Sequence, residues 1–344
     1  MQKIEKAINL KFISKNQFFI LSLFFFVLIC SFFFATSIGG INANITEIFF
    51  SDSSSISNRV LIEIRIPRVI LAGFVGASLG LAGASLQGLF RNPLADPGLI
   101  GVSAGAALGA ALMIVLGSNY LSVNFFGAFL LPISAILGAS FVTILLFTLT
   151  RGFGYSGVTY MILVGIAINA FATVGIGILT FVSSDSQLRG LTFWTMGSFG
   201  AANWKLLLPA ISMILITVLW LITSSRKLDL LQLGEAEAYR LGVDVRYLKL
   251  KIIISSAIIV GVSVSLSGII GFVGLVIPHL VRLIGGVKHE FVLIGSVLLG
   301  SSLMIISDLI SRTIILPAEL PVGLITSAVG APFFLWLIFR IQNK

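Results

Sequence analysis

Long apolar runs separated by short polar stretches make up this sequence. Each run approaches or exceeds the length of about 20 apolar residues that a membrane-spanning helix needs. The approximate limits of the runs are 17–38, 66–90, 98–116, 124–149, 158–182, 205–224, 250–267, 268–284, 291–312 and 321–340. Hydrophobic residues make up 57% of the chain and charged residues 10%, against roughly a quarter charged in soluble domains. We therefore expect an all-α integral membrane protein of about ten transmembrane helices, with residues 1–344 forming a single domain.

The polar stretch after the second run cannot be continuous helix. It reads Arg91-Asn-Pro-Leu-Ala-Asp-Pro-Gly98, and each proline lacks a backbone donor and disfavours helix at the residue before it. Non-helical backbone inside a bilayer survives only where protein or a water-filled cavity satisfies its polar groups. The segment is therefore either part of a transport pathway or an ordinary turn between two spans, and spacing alone leaves both interpretations open.

The basic residues predict the orientation of the chain. They lie singly or in pairs between apolar runs, a pattern typical of membrane topology rather than nucleic-acid binding, although the net charge is +9. With the N-terminus inside, 16 of the 22 Lys and Arg residues fall on the cytoplasmic side, as the positive-inside rule requires. We expect both termini in the cytoplasm. The first run is too long for a typical signal-peptide core, so we expect it to be an uncleaved span.

Two short sequences hint at an internal repeat. Gly76-Ala-Ser-Leu-Gly-Leu-Ala-Gly83 and Gly261-Val-Ser-Val-Ser-Leu-Ser-Gly268 share the pattern Gly-x-Ser-x-x-Leu-x-Gly. The second and seventh predicted spans cross in opposite directions, which is what an inverted repeat produces. A chance match between small-residue sequences is the alternative.

Two polar stretches outside the membrane differ in their prediction. Residues 39–64 are rich in Ser and Asn and predict an external surface loop. Residues 225–249 form the largest cytoplasmic loop, in which Gly234 and Gly242 enclose a short predicted helix. The leucines around that helix predict an apolar surface with a charged rim, which suits a partner protein. An amphipathic helix lying on the membrane is the alternative.

The sequence lacks the residues of several catalytic and metal sites. There is no Gly-Lys dipeptide, so the phosphate-binding loop G-x-x-x-x-G-K-[ST] is absent. His279 and His289 are the only histidines and Cys30 is the only cysteine, which argues against a metal site. The acidic residues lie near span ends or in loops, whereas an ion-coupled carrier is expected to hold ionisable groups at mid-span.

Three arginines oppose the inside bias of positive charge. Arg65, Arg68 and Arg312 fall at the predicted outer ends of two spans. Arginine at a span end commonly extends to the interface as an anchor. A guanidinium also matches a carboxylate on a partner protein, and the residues alone leave both interpretations open.

Several blocks of sequence resemble the permease subunits of ABC importers for iron-siderophores, haem and vitamin B12. The similarity runs from about residue 60 almost to the C-terminus. The matching blocks are Arg65-Ile-Pro-Arg68, Gly83-Ala-Ser-Leu-Gln87, Asn92-Pro-Leu-Ala-Asp-Pro-Gly98, Leu233 to Val245, Gly271-Phe-Val-Gly-Leu-Val-Ile-Pro-His279-Leu-Val-Arg282 and Glu319-Leu-Pro-Val-Gly323. The resemblance implies the type II importer fold, a homodimer with its pathway on the two-fold axis, and a location in the inner membrane of a bacterium.

The resemblance also implies roles for particular residues. Arg65, Arg68 and Arg312 would hold glutamates of a periplasmic or lipid-anchored substrate-binding protein. Docking that must be released after each cycle should rest on exposed charge pairs, so we expect these arginines to be exposed. Asn92 and Leu94 would close the cytoplasmic end of the pathway. The ATPase contact within loop 225–249 would comprise Leu233, Gly234, Glu235, Glu237, Arg240, Leu241 and Gly242. ATP and Mg²⁺ would bind to two partner ATPase subunits, leaving this chain without a cofactor or catalytic residue.

The cargo implied by the resemblance is an iron complex. The stretch Gln187-Leu-Arg-Gly-Leu-Thr-Phe-Trp194 is most similar to haem-transporting members, which favours haem over a ferric siderophore. Vitamin B12 as cargo, or an ion-coupled secondary transporter, are the alternatives.

Overall fold

The computed structural model describes residues 14–39, 56–117, 127–150 and 157–342, and this part of the chain contains helices but no strand. Ten of the helices correspond to the ten predicted spans. We name all the helices in chain order: α1 Lys15–Ser37, α2 Ile56–Phe90, α3 Val102–Leu112, α4 Gly127–Leu149, α5 Gly157–Val182, α6 Asp185–Met196, α7 Trp204–Ile222, α8 Ser225–Leu231, α9 Glu235–Arg240, α10 Val245–Ser267, α11 Val273–Gly285, α12 His289–Thr313 and α13 Val322–Gln342.

Helix α2 lies at the centre of the bundle. It packs against α12, α10, α11 and α7, and nearly all of its residues from Pro67 to Phe90 are buried. A helix that is apolar on every side can be covered all round in this way. The small residues along α2 allow very close neighbours: a Cβ added at Gly76 would overlap the carbonyl oxygen of Gly300 in α12. Close backbone approach of this kind is typical of helix packing in membranes.

Helix α2 begins ten residues earlier than predicted, so the expectation of an external loop over 39–64 is wrong for 56–64. Residues Val60–Arg65 form a π-helical turn, in which Ile66 donates its N–H to the carbonyl of Leu61. The turn accommodates Pro67, which has no N–H to donate. In a continued π-helix the Ile62 carbonyl would accept an N–H from residue 67, which proline lacks. This carbonyl accepts instead from Nε1 of Trp204 at 2.9 Å. The remainder of the predicted loop, 40–55, lies outside the described residues.

Three of the ten spans are short. Seven described helices are long and apolar enough to cross a membrane, and the shorter apolar helices are Val102–Gly117, Val273–Gly285 and Val322–Leu337. The predicted division near residue 268 is confirmed, because α10 ends at Ser267 and Gly268 adopts φ +71°. Helix α11 starts only at Val273 and has 13 residues, which span about 20 Å at 1.5 Å per residue. This is less than the roughly 30 Å of hydrocarbon in a bilayer.

The helix contacts fit the predicted inverted repeat. Gly76 of α2 packs against α12, and the matching Gly261 of α10 packs against Ala139 of α4. Two halves related by a repeat would pair α2 with α10 and α4 with α12, so the two contacts are equivalent. Helices α2 and α10 also run in opposite directions. The carbonyl of Ser267, at the end of α10, accepts the N–H of Ser198. The nearby Gly200 faces Glu319, the partner of Arg68 towards the N-terminal end of α2.

Candidate functional sites at the two ends of the central helix

Five charged residues meet at the N-terminal end of α2. We call them the charge cluster: Arg65, Arg68, Asp308, Arg312 and Glu319. The Arg68 guanidinium lies between two acids. Its Nε contacts Asp308 Oδ1 at 2.9 Å, and its Nη1 contacts both Glu319 carboxylate oxygens at 2.9 Å. Charge-assisted bonds of this kind are the strongest hydrogen bonds in proteins.

The other two arginines satisfy the end of α1. Nη1 of Arg65 donates to the carbonyls of Thr36 at 3.2 Å and Ser37 at 3.0 Å. Arg312 donates to the carbonyls of Ile38, at 3.0 Å, and Ala35. The last carbonyls of a helix have no partner within it and carry partial negative charge. Both arginines are therefore placed to stabilise the C-terminal end of α1.

The expectation that these arginines are exposed is wrong. Arg65, Arg68 and Arg312 retain only 5%, 6% and 7% of their accessible surface. Their partners come from distant parts of the chain, which the sequence alone does not bring together. Glu319 is the exposed member of the cluster, with 47% of its side chain accessible, whereas Asp308 has 1%. The predicted docking role of the arginines stays a prediction, and any partner would meet Glu319 first.

Asn92 and Leu94 lie at the opposite end of α2. The helix stops because Arg91 adopts the left-handed conformation with φ +50°. Oδ1 of Asn92 accepts the N–H of Leu94 at 2.9 Å, so Asn92 forms the turn while the Leu94 side chain is 36% exposed. The 25 helical residues from Ile66 to Phe90 separate this turn from the charge cluster. They span about 37 Å at 1.5 Å per residue. The two predicted sites therefore lie at opposite ends of one rigid element.

The segment after Leu94 is held in place by polar contacts. Asp96 accepts the N–H of Gly98 at 2.7 Å and caps the 3₁₀-helical turn Pro97–Ile100. Burial raises the pKa of the Asp96 carboxyl, and the bond from Gly98 opposes that shift. The carbonyl of Gly98 accepts from Nδ2 of Asn169 in α5 at 3.0 Å. This broken segment is therefore fixed to α5.

The predicted short helix in loop 225–249 is confirmed as α9. Gly234 and Gly242 flank it with φ +112° and +86°, a conformation that glycine adopts without steric cost. Its first turn carries Glu235 and Glu237 and its last carries Arg240. Glu235 pairs with Lys249 at 2.8 Å, and Glu237 pairs with Arg240 at 2.9 Å.

The apolar residues of this loop divide into two sets. Leu228 and Leu231 are buried against the bundle. Leu233, Tyr239 and Leu241 expose 63%, 72% and 56% of their surface. We call these three the apolar patch of α9. Tyr239 was not singled out from the sequence, although it follows Ala238 in the same short helix.

Polar side chains connect this loop to the end of α2 and to the start of α12, and the sequence did not indicate their role. Nε2 of Gln232 donates to the carbonyl of Gly88 at 2.9 Å. Asp229 Oδ1 accepts the backbone N–H of His289 at 3.0 Å. On the other side of α2, Nη1 of Arg282 donates to Oε1 of Gln87 at 2.6 Å. A glutamine within an apolar run was the available signal, because an unsatisfied amide is costly in such surroundings.

The first and last helices of the described chain also place their outer ends on the side of this loop. Gln17, at the start of α1, donates to the carbonyl of Gly285, the last residue of α11, at 2.8 Å. Helix α13 begins beside the charge cluster, three residues after Glu319, and its 21 residues therefore end at the opposite side of the bundle. Both described ends thus lie on the side that carries α9, as predicted for an even number of spans.

Known proteins share this sequence and architecture. The sequence profile of the FecCD transport family matches residues 24–340. The hemin transport system permease HmuU of Yersinia pestis is 42% identical over 310 residues, covering 90% of this chain and 92% of that protein. The vitamin B12 import system permease BtuC of Serratia proteamaculans is 37% identical over 281 residues, covering 82% of each chain.

A solved structure agrees with the fold over almost its whole length. It is a metal-chelate type ABC transporter in an inward-facing conformation, 33% identical to this chain, with a TM-score of 0.83. The match covers 93% of this chain and 99% of the other. On its sequence and its fold, this chain belongs to the FecCD transport family of ABC-importer permeases.

Proposed function

We propose that two copies of this chain form the membrane pathway of an ATP-driven importer for an iron complex. Two partner subunits bind ATP and Mg²⁺ on the cytoplasmic side, and a substrate-binding protein delivers cargo at the outer side. The chain itself binds no cofactor. The observation that carries the proposal is the apolar patch of α9, which is exposed to a partner and connected through Gln232 to the end of α2 beside Asn92 and Leu94.

The same arrangement supports an orientation in the bacterial inner membrane with both described ends inside. The side with α9 carries both described chain ends and most of the described basic residues, so we assign it to the cytoplasm. The charge cluster then faces outward. An apolar patch surrounded by charged residues fits a protein interface better than a lipid surface, because the exposed acids Glu237 and Asp244 would face anionic headgroups.

Coupling to the ATPase subunits can be tested on the patch directly. In the purified complex in lipid vesicles, replacing Glu237 by Arg and Leu241 by Asp should abolish most cargo-stimulated ATP hydrolysis and uptake, because the interface loses an apolar anchor and reverses a charge. Val287→Asp is the matched control, since Val287 is 73% exposed on the same side but outside α9. Equal activity of the double variant and the control would exclude α9 as the ATPase contact.

Cargo and energy source need a separate experiment. We favour haem because of the Gln187–Trp194 stretch and the likeness to a hemin permease; a ferric siderophore or vitamin B12 would fit the same fold. Vesicles containing the complex should take up hemin when ATP is supplied to the ATPase side, and ionophores should leave uptake unchanged. Uptake that needs an ion gradient instead would identify a secondary transporter.

A further inference from the structure

The Arg68 guanidinium has two differently placed edges. One edge, formed by Nε and Nη2, contacts Asp308, which is 1% exposed within α12. The other edge, at Nη1, contacts Glu319, whose side chain is 47% exposed. A carboxylate approaching from outside can reach only the Nη1 edge. That position is already filled by Glu319.

Glu319 can leave this position without unfolding its surroundings. The residue lies between the end of α12 and the start of α13, and the adjacent Leu320 is fixed by its own bonds. The N–H of Leu320 donates to the carbonyl of Ser311 at 3.0 Å, and the hydroxyl of Ser311 donates to the carbonyl of Leu320. A rotation of the Glu319 side chain would therefore free Nη1 while the backbone stays in place.

We propose that Glu319 is a placeholder carboxylate, which an acidic side chain of the docking protein displaces from Arg68. This inference rests on the proposed function, and it makes Glu319 a determinant of docking strength. One carboxylate replaces another at the same guanidinium, so the net gain from Arg68 is small. Such an exchange suits a partner that must be released after each transport cycle.

The charge balance supports the same conclusion. The cluster holds three arginines and two acids. Asp308 is buried within α12, so a partner protein cannot reach it to displace it from Arg68. The exposed negative charge of Glu319 also opposes an approaching acidic surface. Loss of that charge together with its contact should therefore strengthen docking, and it should make docking more sensitive to salt because a freed cation is then paired across the interface.

The test measures binding of the purified substrate-binding protein of the same importer to the permease–ATPase complex in nanodiscs. We expect Glu319→Gln to lower the Kd by roughly fivefold at low salt, the effect of about one screened charge pair. Glu63→Gln is the matched control, because Glu63 is exposed at the same end of α2 but is not a member of the cluster. It removes equal charge without freeing Arg68, and we expect a clearly smaller change.

A second variant separates contact from charge. Glu319→Asp keeps the negative charge but shortens the side chain, so a placeholder role predicts tighter docking, whereas a purely electrostatic role predicts wild-type affinity. Thermal unfolding of each variant reports whether the complex stays folded. Unchanged or weaker docking of Glu319→Gln, or equal effects of Glu319→Gln and Glu63→Gln, would refute the placeholder. If wild type fails to bind the protein at all, the proposed function is wrong instead.

Discussion

Arg68 illustrates what a single residue contributes at the boundary between bundle and solvent. Arg68, which is 6% exposed, is tolerated in the bundle because each edge of its guanidinium meets an acid. Removing one partner of such a pair leaves an uncompensated buried charge. The sequence marked Arg65, Arg68 and Arg312 as unusual. It could not reveal their burial, since Asp308 and Glu319 lie 240 and 251 residues away from Arg68.

Truncation of Arg68 tests this account of the charge cluster. We expect Arg68→Met to destabilise the purified protein by about 3–5 kcal/mol, the usual cost of breaking a buried ion pair, as a lower midpoint of thermal unfolding in detergent. Arg68→Met combined with Asp308→Asn should recover part of the loss, because the buried carboxylate is then neutral. Arg59→Met, an exposed arginine on the same helix, serves as control and should have little effect. A single variant as stable as wild type would mean that the pair contributes nothing.

At the scale of elements, the apolar runs were sufficient to locate the spans. They did not predict that α2 continues on the N-terminal side of Pro67. Helices α1, α4, α5, α7, α10 and α12 begin and end within a few residues of their predicted limits. The N-terminal extension of α2 was missed because its Ser and Asn residues are typical of loops. Its stability depends on the π-helical turn and on Trp204, a partner 142 residues away in sequence.

The contact between α2 and α12 gives a second prediction. Gly76→Ala should destabilise the protein by about 1–3 kcal/mol, because the added methyl group overlaps the backbone of Gly300 and forces the two helices apart. Gly177→Ala in α5 is the matched control, since a Cβ there meets no atom within 4 Å, and it should change stability by less than about 1 kcal/mol. Thermal unfolding of both variants in the same detergent measures the difference. Similar midpoints would show that the contact between α2 and α12 can adjust to the added methyl group without loss of stability.

At the scale of the whole molecule, α2 connects the charge cluster at one end of the bundle with α9 at the other end. Helix α2 carries the charge cluster at its start and the Asn92 turn at its end, and Gln232 connects that end to α9. The sequence predicted the separate sites through patterns and resemblance. It did not predict this connection. Gln232 donates to the Gly88 carbonyl and Gln87 accepts from Arg282, and such bonds between distant segments follow from tertiary packing rather than from local pattern.

We predict that the distance between the two copies of Leu94 changes with the nucleotide state of the importer. If two copies meet along a two-fold axis with Leu94 at the inner end of the pathway, Leu94→Cys in a Cys30→Ala background should cross-link between subunits in one nucleotide state and much less in another. The 36% exposed side chain makes Leu94 suitable, whereas a cysteine at Asn92 would also remove the bond to the N–H of Leu94. Val287→Cys, exposed on the same side, controls for random collision between complexes. Cross-linking of Leu94→Cys that is absent, or independent of nucleotide, would place Leu94 outside a moving gate.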